Sequence, residues 1–313
     1  MGNNVFASFW QDYFDHWDEF VRNWYDAGAK GADIYAQCVR SGKLNFDELP
    51  EPYMMSPYCD GKGTKLKAVI LNLNPGGSTG DEWTKSYSQK SNPGAFLIRA
   101  YERDCNKSYR KWVSKWSCLR SDLVGRNPPV CGVEWWQGRN GDSGRMAWVR
   151  RFFGTDVAPE EVFAPELCPY HSKTTGFFGA YMSKKNPRRE EFRQYVWKWV
   201  IKPALVAAIE YDILCVAAVG REISDVLEFI GIKKSDEWTR DRIPCSKEWP
   251  LANRTYRIYR IGKEDTCLWK DLRPFAEGKT DHVSIVVTYA PGSNHTPSAE
   301  FKTIENKYVK RNV

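Results

Sequence analysis

Three apolar runs constrain this chain more than any other feature. They are 68–73 (AVILNL), 213–219 (ILCVAAV) and 283–289 (VSIVVTY). A strand with one wet face alternates apolar and polar residues, whereas a strand covered on both faces reads as nearly continuous apolar sequence. Each run ends in residues that cannot extend a strand: Asn74-Pro75-Gly76-Gly77, Gly220, and Ala290-Pro291-Gly292. Proline removes a ladder donor, and glycine opens backbone angles closed to other residues. A shorter run, 161–164 (EVFA), stops at Pro165 and leads into Glu166-Leu167-Cys168-Pro169. Helical stretches separate the runs: 95–117, 145–153, 193–210 (with Pro203 expected to bend or divide it) and 221–230. Strands alternating with helices predict an α/β fold with a mostly parallel sheet covered on both faces.

The remainder is read as additions to that core. In residues 5–40, Phe6, Phe9, Trp10, Tyr13, Phe14, Trp17, Phe20, Val21 and Trp24 recur at the spacing of one helix face. His16 lies in that segment and reads as structural. Residues 44–64 are rich in Pro and Gly and read as a loop into the first strand. Residues 233–281 look like an insertion before the last strand, holding one alternating segment, 255–261 (TYRIYRI). The domain reading is one unit over 1–313: a helical amino-terminal elaboration at 1–64, a core at 65–300 with the insertion inside it, and a polar basic tail at 301–313. The 313 residues are ample for a sizeable core.

No apolar run is long enough to span a bilayer and the amino terminus does not read as a signal peptide, so the expected location is cytoplasmic, with no membrane partner. Nine cysteines occur without a C-x-x-C pair, and four histidines without ligand spacing. These argue against structural zinc and iron–sulfur centres, and no cofactor is expected. The net charge is +7, and many of the 14 tryptophans and 16 tyrosines sit beside basic residues, as in Tyr109-Arg110-Lys111-Trp112 and Trp148-Val149-Arg150-Arg151. Interleaved basic and aromatic residues can hold phosphates and stack on bases. The same residues also suit core filling and solvated helix faces; taken together they favour nucleic acid as the partner. No obligate protein partner is indicated.

Parallel strands joined by helical crossovers send their carboxyl ends to one edge, where ligands bind in open α/β sheets. That edge would gather Asn74, Glu166 and His295. The glycine-rich turn after the first strand lacks the spacing of a phosphate-binding P-loop or a dinucleotide fingerprint, and no G-x-S-x-G elbow occurs.

Asn72-Leu73-Asn74-Pro75-Gly76 after a strand resembles the first motif of the uracil-DNA glycosylase superfamily, G-[IM]-N-P-G. The likeness is greatest to its mismatch-specific and single-strand-selective monofunctional branches. Phe163-Ala164-Pro165-Glu166-Leu167-Cys168-Pro169 is similar to the segment ending in the base-reading asparagine. Gly220-Arg221 resembles the core strand–turn–helix, and Thr288-Tyr289-Ala290-Pro291-Gly292-Ser293 resembles the second motif, H-P-S-P. The motifs cover roughly residues 65–298, in the family's order. The resemblance implies a three-layer sandwich around a four-stranded parallel sheet. It also implies hydrolysis of an N-glycosidic bond in single- or double-stranded DNA after base flipping. It gives Asn74 the role of positioning water; the competing role is a turn residue bonded to its own backbone.

Three departures refine the expectation. Glu166 stands where uracil readers place asparagine; a carboxylate only accepts, which repels uracil O4 and suits the amine of cytosine. A protonated Glu166 could instead donate to the leaving base, and a Glu on an exposed loop is the plain alternative. Gly77 leaves room beside the base 5-position. Together these point to a 5-modified cytosine, and the chain resembles phage-defence members of the superfamily that remove glucosylated hydroxymethylcytosine. Ala290 replaces the motif histidine; His295 would donate to the leaving base or lie on the surface, and His171 is the other polar group near the second strand. Gly76 shapes the base pocket, and Trp83 or Tyr87 would stack on the base or fill core. The loop with Ser293 and Asn294 would enter the gap left by flipping, and Lys173, Lys184, Lys185, Arg188 and Arg189 would contact phosphates. A uracil or mismatch glycosylase, a non-catalytic DNA-binding protein on the same fold, and a nucleotide or sugar enzyme on an unrelated doubly wound fold are the competing readings.

Overall fold

The first apolar run forms strand β1 (Ala68–Leu71), in which every side chain is buried. The computed structural model describes residues 66–73, 121–125, 136–138, 144–168, 177–217, 220–240 and 254–289. Within them, β1 is followed by a 3-10 turn (Ser121–Leu123), helix α1 (Gly144–Phe153), a second 3-10 turn (Pro159–Glu161) and strand β2 (Val162–Phe163). Helices α2 (Phe177–Met182) and α3 (Arg189–Val196) come next. A π-helical segment (Trp197–Ile201) joins α3 to α4 (Lys202–Tyr211), which leads to β3 (Cys215–Ala217) and α5 (Gly220–Ile230). Strands β4 (Lys234–Arg240) and β5 (Arg254–Gly262), helix α6 (Trp269–Ala276) and strand β6 (His282–Tyr289) complete the order. No described helix is long and apolar enough to cross a membrane.

The strands form one sheet in the order β2-β1-β3-β6-β5-β4. The expected four-stranded parallel sheet is corrected here to a six-stranded, mixed one. β2, β1, β3 and β6 are mutually parallel, but β5 joins β6 antiparallel and β4 joins β5 antiparallel. Both added strands come from the stretch read as an insertion. The alternating segment 255–261 became β5 because an open edge of β6 offered it a full ladder, from Thr255 opposite Tyr289 to Gly262 opposite His282. β4 and α6 were not foreseen: β4 (KSDEWTR) is mostly polar and lies at the sheet's edge, where apolar patterning is not required.

Alternation along the strands divides the core in two. Val69, Leu71, Cys215, Ala217, Ile285 and Val287 face helices α2 to α6. Ala68, Ile70, Val162, Val216, Ile258 and Val286 face α1 and Trp136. The first layer is held by aliphatic residues of α4, buried from Pro203 to Ile209, and by an aromatic chain running Phe178, Tyr181, Phe192 and Phe229. Pro203 was expected to bend or divide its helix. The helical path stays continuous and loosens into the π segment just before it, because proline has no N–H for the preceding turn and its ring crowds that carbonyl. Trp197, in that segment, donates to Asp271 of α6 at 2.8 Å and ties the loosened turn down. Asp212 then ends α4 in the left-handed conformation (φ 53°), which turns the chain into β3.

Candidate functional site

The ladder between β1 and β2 continues past the end of β2. Asn72 N–H donates to the Pro165 carbonyl (3.0 Å), Leu167 N–H to the Asn72 carbonyl (2.9 Å), and Cys168 N–H to the Leu73 carbonyl (2.8 Å). Pro165 cannot donate, but its carbonyl still accepts, so the proline does not break the pairing. The result is a parallel bridge that sets Asn72 directly beside Glu166. Both are buried, at 5% and 8% exposure. The plain alternative of a Glu on an exposed loop therefore does not hold.

Leu71, Leu73 and Leu167 belong to the core on the side of α2 to α6. Asn72 and Glu166, between and beside them, accordingly project on the α1 side. Helix α1 packs Met146, Trp148, Val149 and Phe152 against this face of the sheet. Gly144 opens the helix with φ 68°, an angle suited to glycine. Arg145 follows in the first turn, with its guanidinium 4.4 Å from the centroid of the Trp148 ring. Arg145 is partly exposed as a residue, yet its Nε is sealed from solvent. Burial lowers its pKa to about 10, and attraction to the Glu166 carboxylate opposes that fall. The group is still protonated at neutral pH. A buried carboxylate is costly without a positive partner, and Arg145 supplies one.

The row of polar groups continues across the sheet. Leu71 pairs with Ala217, and Ala217 with Val287. The next position on each outer strand sets Asn72 level with Thr288, two strands or about 10 Å away. Thr288 is 3% exposed and lies opposite buried Tyr256 of β5. Trp136 and Gln137 are buried too, Trp136 within the α1-side core.

Of the residues expected from sequence, Asn74, Gly76, Gly77, Trp83, Tyr87, His171, Lys173, Ser293, Asn294 and His295 lie outside the described residues. Leu73, two residues past β1, and Tyr289, the last residue of β6, stand at the same edge as Glu166. Lys184, Lys185, Arg188 and Arg189 occupy the turn from α2 to α3, and those helices bury Phe178, Tyr181 and Phe192 in the core on the other face. Lys184 and Lys185 are exposed. Arg188 is ion-paired to Glu191. Arg189 donates to the Met182 carbonyl at 2.8 Å and lies 4.7 Å from the Phe229 ring centroid. The two arginines thus hold the turn together, while the two lysines face solvent.

Two site residues were missed from sequence. Asn72 could have been noticed as the one polar residue inside an apolar run, on the strand immediately before the turn. Arg145 carries no comparable signal: its electrostatic attraction to Glu166, 21 positions on, depends on the tertiary fold.

Comparisons with protein-family models, curated proteins and solved structures found no match.

Proposed function

We propose that this chain is a monofunctional DNA glycosylase that flips out and excises a 5-modified cytosine, such as glucosylated hydroxymethylcytosine in phage DNA. The observation that carries the reading is the buried Glu166 carboxylate at the carboxyl edge of the parallel strands, one bridge away from the strand that runs into Asn74-Pro75-Gly76-Gly77. A carboxylate there is a pure acceptor and suits an amine-bearing base. Attraction to Arg145 offsets part of the cost of keeping this acceptor in a dry site.

In the proposed reaction, the oxygen of water bonds to the sugar carbon as the N-glycosidic bond breaks. The base departs with the electron pair and takes up a proton, and an abasic site remains. Asn74 orients the water, which needs little proton removal when the sugar already resembles an oxocarbenium ion. Glu166 aligns the base through its amine, and His295 donates towards the leaving base. Gly77 leaves space for the 5-substituent. Lys173, Lys184 and Lys185 contact phosphates in this reading, while Arg188 and Arg189 serve the turn that presents the two lysines. The location consistent with this role is the cytoplasm.

The test is incubation of the protein with DNA carrying cytosine, uracil, hydroxymethylcytosine or glucosylated hydroxymethylcytosine, followed by alkali to nick abasic sites. Nicking is expected with the modified cytosines. Asn74→Ala should lower it by about two to three orders of magnitude, the usual cost of losing a group that acts in the transition state, while DNA binding persists. Glu166→Asn should move preference towards uracil. Nicking of uracil DNA alone by the unaltered protein would favour a uracil glycosylase, and DNA binding with no nicking on any substrate would leave a non-catalytic DNA-binding protein.

A further inference from the structure

Asn72 has no part in the proposed chemistry so far, and the resembled motif has glycine in its place. Its side chain lies beside Glu166 across a parallel bridge, on the α1 side of the sheet. The residue is 5% exposed, and its Nδ2 is sealed from solvent with no hydrogen-bond partner. Leaving a buried amide donor unsatisfied costs stability. Such orphans are rare in folded proteins, and one at the ligand-binding edge of an open α/β sheet points to a ligand atom as the absent acceptor.

We infer that Asn72 is a specificity-determining residue of this site: its amide donates to a ring nitrogen while Glu166 accepts from the adjacent exocyclic amine. Neighbouring positions on parallel strands hold a donor and an acceptor side by side. That pair is complementary to an amidine-type edge, an amine next to an unprotonated ring nitrogen, as in cytosine. Uracil presents the opposite order, a carbonyl oxygen next to a ring N–H, and would set acceptor against acceptor and donor against donor. Glycine at this position would read neither base. The identity of the substrate as DNA rests on the glycosylase reading; the choice of edge rests on the geometry of the pair.

Two measurements test this. The first is the ratio of kcat/KM for modified cytosine over the matching uracil in DNA, for the unaltered protein and Asn72→Gly, with circular dichroism to check the fold. The ratio should fall by about tenfold or more, the scale set by one base-edge hydrogen bond. An unchanged ratio in a folded variant, with activity retained, overturns the inference and leaves the glycosylase reading standing. Asn72→Ala replaces the glycine variant if that one loses its fold. The second is calorimetric titration of the unaltered protein with free 5-hydroxymethylcytosine and 5-hydroxymethyluracil. Preference for the cytosine form is expected, and loss of that preference in Asn72→Gly or Asn72→Ala supports the inference even if no base is released from DNA, in which case only the glycosylase reading falls. Equal binding of the two bases, or binding of neither, by the unaltered protein overturns the inference.

Discussion

The two faces of the sheet are built from the same strands yet do different work. The face under α2 to α6 is a nearly pure apolar core, where aliphatic α4 and the chain of rings from Phe178 to Phe229 leave little room for polar atoms. The face under α1 holds tryptophans and buried polar groups. Asn72 Nδ2, Trp148 Nε1, Arg260 Nε and Ser284 Oγ are sealed there without hydrogen-bond partners, since Arg260 and Ser284 alternate with residues of the other core. Unsatisfied polar groups cost stability, so a fold can carry them on one face only if the other supplies the surplus. The contrast teaches that the apolar face carries most of the stability, and that the α1 face is where the fold tolerates buried polar groups.

Replacing a large residue on the apolar face should break that division most visibly. Phe192 is fully buried, with its ring centroid 4.8 Å from that of Tyr181. Phe192→Ala should lower unfolding free energy by about 3–5 kcal/mol, measured by urea denaturation, while the proposed preference for cytosine over uracil, read in the folded fraction, stays as it was. A changed preference would mean that the two faces are coupled.

A smaller effect is expected from Arg145→Met. It removes the charge that balances Glu166 and the group stacked over Trp148. The expected loss is about 1–3 kcal/mol, the scale of a buried polar group deprived of its partner. Glu166→Gln in the same background should restore part of it, because the carboxylate no longer needs compensation. Additive losses in this double-mutant cycle would show that the two side chains do not act on each other.

The smallest effect belongs to neither face. Lys67 and Asp156 form an exposed ion pair at 2.9 Å. Hydrogen bonding to Lys67 is the largest cause holding the Asp156 pKa below its ordinary value. A depressed carboxylate pKa contributes stability above the unfolded-state pKa and loses it as pH falls through the folded-state value. Asp156→Asn should therefore lower the melting temperature only slightly at neutral pH, and the difference should vanish in acid. A gap that persists below the carboxylate range would assign the effect to something other than this pair.

Much of the scaffold was legible in the sequence. The strands at β1, β2, β3 and β6 were marked by apolar runs and their terminating prolines and glycines, and α1, α4 and α5 by helical patterning between them. Boundaries shifted by a few residues, as with β2, where Pro165 ended the regular strand but not the pairing. β4 and α6 escaped because a polar edge strand and a short helix have no distinctive period. In the site, Glu166 stands out by its place after a strand, whereas Asn72 is marked only as a polar residue within an apolar run, two residues before the motif's Asn74.

Local chemistry determined which segments become strands, where they stop and that a carboxylate follows β2. Backbone propensity and side-chain alternation act over a few residues, so they are written in the sequence itself. Tertiary structure alone decided the register that sets Asn72 beside Glu166, the face on which both project, the arrival of Arg145 from α1 and the extension of the sheet by β5 and β4. Those outcomes depend on which ladder closes against which, and on charge compensation between residues far apart in the chain, neither of which has a local signature.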